Sequence, residues 1–146
     1  MSTLPPGTVD PRAVADRYFS PREVEALIPV LTELMEDVMR AQAGAAEAGD
    51  WLRSEQQRVA MAGGAVLDRE AWQQAKGRLD VERQRLERGI AEVTTLGGVI
   101  KDLGMGLVDF PHQREGRVVN LCWKYGEKDI RYWHGLDEGY AARKPL

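Results

Sequence analysis

The sequence is short of three features that often identify a small protein: cysteines, long apolar runs and an excess of one charge. Its 146 residues include a single cysteine, Cys122. One cysteine excludes an internal disulfide framework and is typical of a reducing compartment. No apolar run approaches the length that spans a bilayer. The first residues lack the apolar core of a signal peptide, so we expect a cytoplasmic protein with no membrane partner.

The charge balance argues against a further class of partner. The chain carries 20 Lys and Arg against 23 Asp and Glu, for a net charge of −3. An acidic chain has no overall attraction for a phosphate backbone, so we expect no nucleic-acid binding. Arg83, Arg85 and Arg88 form a basic stripe, but neighbouring glutamates neutralise it.

The length favours a single folded domain, since a chain of this size buries about 70% of its unfolded surface. Residues 1–16 are rich in Pro, Gly, Ser and Thr and are predicted to be a flexible leader. Residues 17–146 are predicted to form the domain. Within it we expect a helical hairpin over 20–97 and a β-rich tail over 98–146.

The first helix has a strong start signal. Ser20 and Glu23 have the spacing of a capping box, and Pro21 suits the first helical position. Apolar residues then recur at spacings of three and four as far as Ala41, which indicates one buried face. The pattern leaves open whether this helix continues from Ala41 to Met61.

A second long helix is predicted after a turn at Gly63 and Gly64. Asp68 is its expected N-cap, and Gly97 and Gly98 are expected to end it. Two long helices joined by a short turn should lie antiparallel. The apolar stripe of this second helix consists of Trp72, Ala75, Leu79, Leu86, Ile90, Val93 and Leu96.

The period then changes from helical towards two, which indicates strands. We predict strands over residues 99–102, 107–110, 117–124 and 129–134. The sequence thus predicts an α+β fold, with a long antiparallel helical hairpin packed on a small antiparallel β-sheet of three to four strands.

A two-residue turn at Gly126-Glu127 would fix the register of the last two strands. It places Lys124 opposite Asp129, and the three pairs Trp123–Ile130, Leu121–Tyr132 and Val119–His134 follow. One sheet face then carries Val119, Leu121, Trp123, Ile130 and Tyr132. The other face, which we call the polar face, carries Asp109, Asn120, Cys122, Lys124, Arg131 and Trp133.

Short motifs in this tail resemble those of a bacterial family known only as domain of unknown function 2203. The resemblance covers most of the chain beyond the leader. It implies no activity, cofactor or catalytic residue. The motifs are Gly106-Leu-Val-Asp-Phe-Pro111, Gly116-Arg117, Leu121-Cys-Trp123, Gly126-Glu127, Trp133-His134, Gly139 and Arg143, with Tyr18-Phe-Ser20 and Lys101-Asp102 upstream.

Both histidines and the cysteine lie in the tail, so any site chemistry should be there. Asp109, Cys122, Glu127 and His134 are of metal-ligand type, but their spacing is not that of a zinc motif. The predicted register also points Cys122 and His134 to opposite faces. We therefore predict no metal site and no cofactor, and favour a buried cysteine and a hydrogen-bonded histidine.

A nucleophilic role for Cys122 would need a base and an oxyanion hole. Arg131 across the strand could lower the pKa of its thiol. Mid-strand cysteines are usually inert, however, so the sequence leans away from an enzyme.

The leading hypothesis is a non-catalytic binding or protein-interaction module that uses the outer, polar sheet face and the C-terminal residues 135–146. Such a module would self-associate, bind another protein, or bind a small polar or anionic ligand. The purely structural alternative is that these residues form a cross-strand salt bridge covered by a tryptophan. The other hypothesis is a small enzyme or metal-binding protein with its site among Asp109, Cys122, Arg131 and His134. The candidate ligand or interface residues are Asp109, Asn120, Cys122, Arg131, Trp133, His134 and Arg143.

Overall fold

The computed structural model describes residues 17–63 and 66–146. The predicted leader at 1–16 and the predicted turn residue Gly64 lie outside the described residues. The fold is α+β, as predicted, with the elements α1 (Pro21–Met61), α2 (Arg69–Leu96), β1 (Val99–Asp102), β2 (Leu107–Arg114), β3 (Arg117–Lys124), β4 (Tyr132–His134), a 3₁₀ turn (Tyr140–Ala142) and β5 (Lys144–Pro145).

The described chain forms two compact units. One combines residues 17–30 with 96–146, and so contains the start of α1 and the whole sheet. The other is Leu31–Thr95 and contains the rest of α1 with nearly all of α2.

Helix α1 begins where the sequence predicts, because the capping box forms. The amide of Glu23 donates to Ser20 Oγ at 3.2 Å, and the amide of Ser20 donates to Glu23 Oε1 at 3.0 Å. Two of the amides that a helix start leaves without partners are thereby satisfied. The helix then runs unbroken to Met61, with Pro29 inside it, which answers the question that the pattern left open.

The two helices pair in antiparallel order within the second unit, as predicted. Val38 lies against Gly89, Gly44 against Glu82, and Glu47 forms an ion pair with Arg78 at 3.1 Å. Helix α2 starts at the predicted cap, since Asp68 Oδ1 accepts a hydrogen bond from the Ala71 amide at 3.1 Å.

The sheet is antiparallel and its strands follow chain order, β1-β2-β3-β4-β5. It has five strands, so the prediction of three to four was too low. The additional strand is β5, whose two residues were too few to produce an alternating pattern. Strand β2 also continues beyond its predicted end at residue 110, because it runs to Arg114 and turns tightly through Glu115 and Gly116, both with positive φ.

The predicted register of the last hairpin is wrong by one residue. The structure pairs Asn120 with His134 and Leu121 with Trp133. The reason is the turn: Glu127 N donates to Lys124 O at 2.9 Å, and Gly126 with φ +99° is the second central residue of that turn, not the first. Residues 128–131 then form an irregular connection before β4.

This slip exchanges the faces of β4, because side chains alternate along a strand. Trp133 joins the apolar face beside Leu121, and His134 joins the polar face beside Asn120 and Cys122. The prediction that Cys122 and His134 lie on opposite faces is therefore wrong, as is the assignment of Trp133 to the polar face.

The apolar face packs on the start of α1. The rings of Phe19 and Phe110 meet edge to face with centroids 5.2 Å apart, and Glu25 Oε1 accepts a hydrogen bond from the Ile130 amide at 3.1 Å. Trp123, which the predicted register placed on this face, is fully buried. With this face occupied, the polar face is where a site can form.

Candidate metal centre

Three side chains from three neighbouring strands meet on the polar face. Asp109 lies on β2, Cys122 on β3 and His134 on β4. One donor atom from each lies within 4.8 Å of the other two, and none of the three residues is more than 2% exposed. We call these residues the Asp–Cys–His cluster.

The strand register brings the cluster together. Asp109 and Cys122 are direct partners across β2 and β3, and directly opposed residues of antiparallel strands point to the same face. His134 is the direct partner of Asn120, which is two residues from Cys122 on β3. His134 and Cys122 are therefore diagonal neighbours on one face.

His134 presents a nitrogen lone pair to its neighbours in its neutral form. Its Nδ1 lies 2.8 Å from the carbonyl oxygen of Gly135. A carbonyl only accepts, so Nδ1 carries the proton and donates, which leaves Nε2 as the acceptor of the neutral ring. Nε2 lies 3.0 Å from Asp109 Oδ2. An imidazole held in this way by a backbone carbonyl is the usual arrangement of a metal-binding histidine.

The carboxylate of Asp109 lacks the hydrogen bonds that burial demands. Neither oxygen has a well-aligned hydrogen bond in the described part of the chain, although His134 Nε2 lies 3.0 Å from Oδ2 and both His134 and the Cys122 thiol are close enough to stabilise the carboxylate. Burial raises the pKa of Asp109, and the neighbouring His134, Lys101 and Cys122 offset part of that effect. A buried carboxylate of this kind is costly unless a cation satisfies it.

The thiol of Cys122 is neutral at ordinary pH. Burial, and then the negative charge of Asp109, raise its pKa to about 12, although the nearby charge of Arg143 acts in the opposite direction. A thiol that is 1% exposed and uncharged is a poor nucleophile. These features argue against a cysteine enzyme, whereas a bound metal ion would itself displace the thiol proton.

Arg143 borders the cluster from the C-terminal segment. Its Nη2 lies 2.8 Å from both carboxylate oxygens of Glu127 and 3.3 Å from the carbonyl oxygen of Cys122. The guanidinium carbon lies 4.1 Å from the ring centroid of Tyr132 and 4.9 Å from that of Tyr140. These contacts hold Arg143 beside Cys122, with its side chain 10% exposed.

The structure gathers five of the seven sequence-predicted candidates and leaves two apart. Asn120, 8% exposed, lies on the polar face beside His134, and Arg143 joins the Asp–Cys–His cluster as described. Arg131 instead forms an exposed ion pair with Asp129 at 2.9 Å. Trp133 lies on the apolar face, with the Arg114 guanidinium 4.9 Å and the Lys144 ammonium 4.7 Å from its ring centroid.

Comparison with known proteins gives the family. A family model described as an uncharacterized conserved protein (DUF2203) matches residues 17–146. The chain belongs to the DUF2203 family. No curated protein and no solved structure matches it.

In this DUF2203 chain, three residues of the site escaped the sequence analysis as ligand candidates or neighbours: Tyr132 and Tyr140, which flank Arg143, and Lys101, which faces Asp109. The contacts of Tyr132 and Tyr140 with Arg143 arise because the C-terminal segment returns to the polar face, whereas Lys101 lies on β1, the strand paired with β2. The sequence of the C-terminal segment has no periodic pattern from which its position could be predicted. The available signal was Trp133, a large aromatic that the predicted register left on a polar face.

The second unit also has a groove. It encloses about 680 Å³ between α1 and α2. Its lining balances acids and bases, and two of the pairs already bond each other, Glu47 with Arg78 and Glu82 with Arg85. The charged lining residues are Asp37, Arg40, Glu47, Arg78, Glu82, Arg85, Arg88 and Glu92. Because the charges of this groove balance and its side chains pair with one another, it is a weaker candidate for a binding site than the Asp–Cys–His cluster.

None of the helices described, α1 or α2, combines the length and the apolar character needed to cross a membrane.

Proposed function

We propose that this DUF2203 protein binds a divalent transition-metal ion of the zinc class through Asp109, Cys122 and His134. The observation that supports this most directly is the convergence of three buried donors around a carboxylate without aligned hydrogen bonds. A thiolate, an imidazole and a carboxylate together suit zinc better than magnesium or calcium, which prefer oxygen ligands alone.

The spacing of the donors fits such an ion after small adjustments. Zinc binds nitrogen and oxygen at about 2.0–2.2 Å and sulfur at about 2.3 Å, so tetrahedral ligands lie roughly 3.3–3.7 Å apart. In the structure the three donor atoms lie within 4.8 Å of one another, and His134 Nε2 is 3.0 Å from Asp109 Oδ2. The Gly135 carbonyl would fix the ring of His134 from behind, as outer partners of metal-bound histidines do.

The role is non-catalytic binding, and it differs from the docking surface predicted for the polar face. Asp109, Cys122 and His134 are buried, so a protein partner on that face would first have to displace the chain above them. Self-association or a protein partner stays a prediction. A bacterial cytoplasmic location also stays a prediction, based on the single cysteine and the family resemblance.

The first experiment measures metal content. Protein purified without chelators, or refolded with Zn²⁺ and desalted, should hold about one zinc ion per chain by elemental analysis. Cys122→Ser and His134→Gln should each reduce metal affinity at least tenfold, as expected when one of only a few ligands is lost. His112→Gln is the matched control, because His112 is the other histidine and bonds Phe19 O on the opposite face.

Two results would decide against the proposal. One is a folded wild-type protein that takes up no Zn²⁺ or Co²⁺, which would leave the cluster as a buried Asp–His ion pair beside a thiol. The other is metal content that is equally lost in a folded His112→Gln, which would show that the loss is not specific to the Asp–Cys–His cluster. Circular dichroism shows whether each variant is folded.

A further inference from the structure

The metal centre proposed above is incomplete as a coordination shell. Three donors in the described part of the chain converge there, whereas zinc is usually four-coordinate. Sites with three protein ligands keep the remaining position for water or for an exogenous ligand. Which ligand would take it depends on the charges and donors around that position.

Arg143 supplies an unused donor beside Cys122. Its Nε is buried and has no hydrogen-bond partner among the described residues. The other end of the same guanidinium is fixed, because Nη2 bonds Glu127 and approaches the Cys122 carbonyl. Tyr132 and Tyr140 hold its plane. A buried N–H of a fixed arginine is a ready partner for an oxygen anion.

The local charge favours one additional negative group. Asp109, the Cys122 thiolate and Glu127 are negative, and they face a doubly charged ion together with Arg143 and Lys101. One positive charge is then in excess, although Lys101 is exposed and its effect is weakened by solvent. Glu138 and Lys144, close to Gly135, neutralise each other through an ion pair at 2.7 Å.

We infer that the remaining position of the metal centre accepts a small monoanion of the carboxylate class, with one oxygen on the ion and the other accepting from Arg143 Nε. This inference rests on the proposed metal binding. The small size follows from burial, since no cluster residue is more than 2% exposed and the Arg143 side chain is 10% exposed. Arg143 is then a ligand-binding residue and not only a structural one.

The experiment uses the full chain loaded with Co²⁺, whose visible absorption reports on its ligands. Metal content is measured first, and sodium formate is then titrated, with sodium perchlorate as the ionic-strength control. We expect a saturable spectral change with formate and none with perchlorate. Arg143→Met should weaken formate binding about tenfold or more, since it removes a charge-assisted hydrogen bond.

Two further variants make the test specific. Arg143→Lys keeps the charge but loses the planar fork, so formate binding should still be weaker than in the wild type. Arg131→Met is the matched control, because Arg131 is exposed and pairs with Asp129, and it should bind formate as the wild type does. If Arg143→Met fails to fold, the wild-type titration still shows whether formate binds, and Arg143→Lys still shows whether Arg143 contributes to that binding.

The outcomes separate the two proposals. A cobalt-loaded wild-type protein that does not respond to formate would overturn the anion site and leave metal binding intact. Equal formate affinity in wild type and Arg143→Met would overturn the role of Arg143. Failure to bind Co²⁺ or Zn²⁺ at all would overturn both.

Discussion

At the scale of single residues, the proton on Cys122 links the site to pH. In the metal-free protein, burial raises the pKa of this thiol from 9.0 to about 12. Between these values the unfolded chain loses the proton while the folded chain keeps it. The folded state then binds more protons, so stability is complete below about pH 9 and falls as the pH rises towards about 12.

We therefore predict a loss of stability at alkaline pH that depends on this one residue. The free energy of unfolding of the metal-free protein should fall by at most about 1.4 kcal/mol per pH unit because of Cys122. Urea melts of the wild type and of Cys122→Ala across this range measure the difference, since all other titrating groups are shared. Parallel pH profiles for the two proteins would contradict the buried, neutral thiol.

The residues of the site could be identified from the sequence, but the pattern did not predict that all three lie on one sheet face. Asp109 and Cys122 were expected on one face, and the structure pairs them directly. His134 was placed on the other face because Gly126 was taken as the first turn residue, and it is the second central one. A glycine suits either position, since both require positive φ, so composition alone could not decide between them.

At the scale of helices, two glycines of α2 offer a matched pair for testing the hairpin. A Cβ on Gly89 would lie 2.3 Å from Val38 Cγ2, whereas nothing among the described residues lies within 4 Å of one on Gly77. Val38 is β-branched and helical, so its side chain has little freedom to move away.

Gly89→Ala should consequently destabilise the protein by about 1–3 kcal/mol. Gly77→Ala should stabilise it by up to about 1 kcal/mol, because alanine is the better helix former. Thermal or urea unfolding of both variants shows whether each substitution lowers or raises the free energy of unfolding. If Gly89→Ala is as stable as Gly77→Ala, α1 and α2 do not approach each other as closely at Gly89 as the structure indicates.

Local signals predicted the elements better than the connections between them. The start of α1 followed from Ser20 and Glu23, whose side chains bond backbone within one turn. Strands β1 and β3 have the predicted bounds. Strand β5 and the return of the C-terminal segment depend on contacts far along the chain, and a two-residue strand has no period to detect.

At the scale of the whole molecule, the excess of acidic residues predicts weak binding to polyanions such as DNA. With 23 acidic and 20 basic residues, it should show no measurable binding to duplex DNA at physiological salt. Fluorescence anisotropy with a labelled duplex tests this, and repetition at lower salt serves as the control. Micromolar affinity with a steep salt dependence would contradict the expectation.

From the chain-order arrangement of the sheet we expect its local hairpins to form before the complete sheet. Neighbouring strands joined by tight turns form local contacts, which close before contacts that are distant along the chain. The hairpin of β2 and β3, closed at Glu115 and Gly116, already brings Asp109 opposite Cys122. His134 arrives only when β4 docks on that hairpin. A metal ion held first by two donors would then accelerate the docking of the third, acting as a nucleus for the sheet.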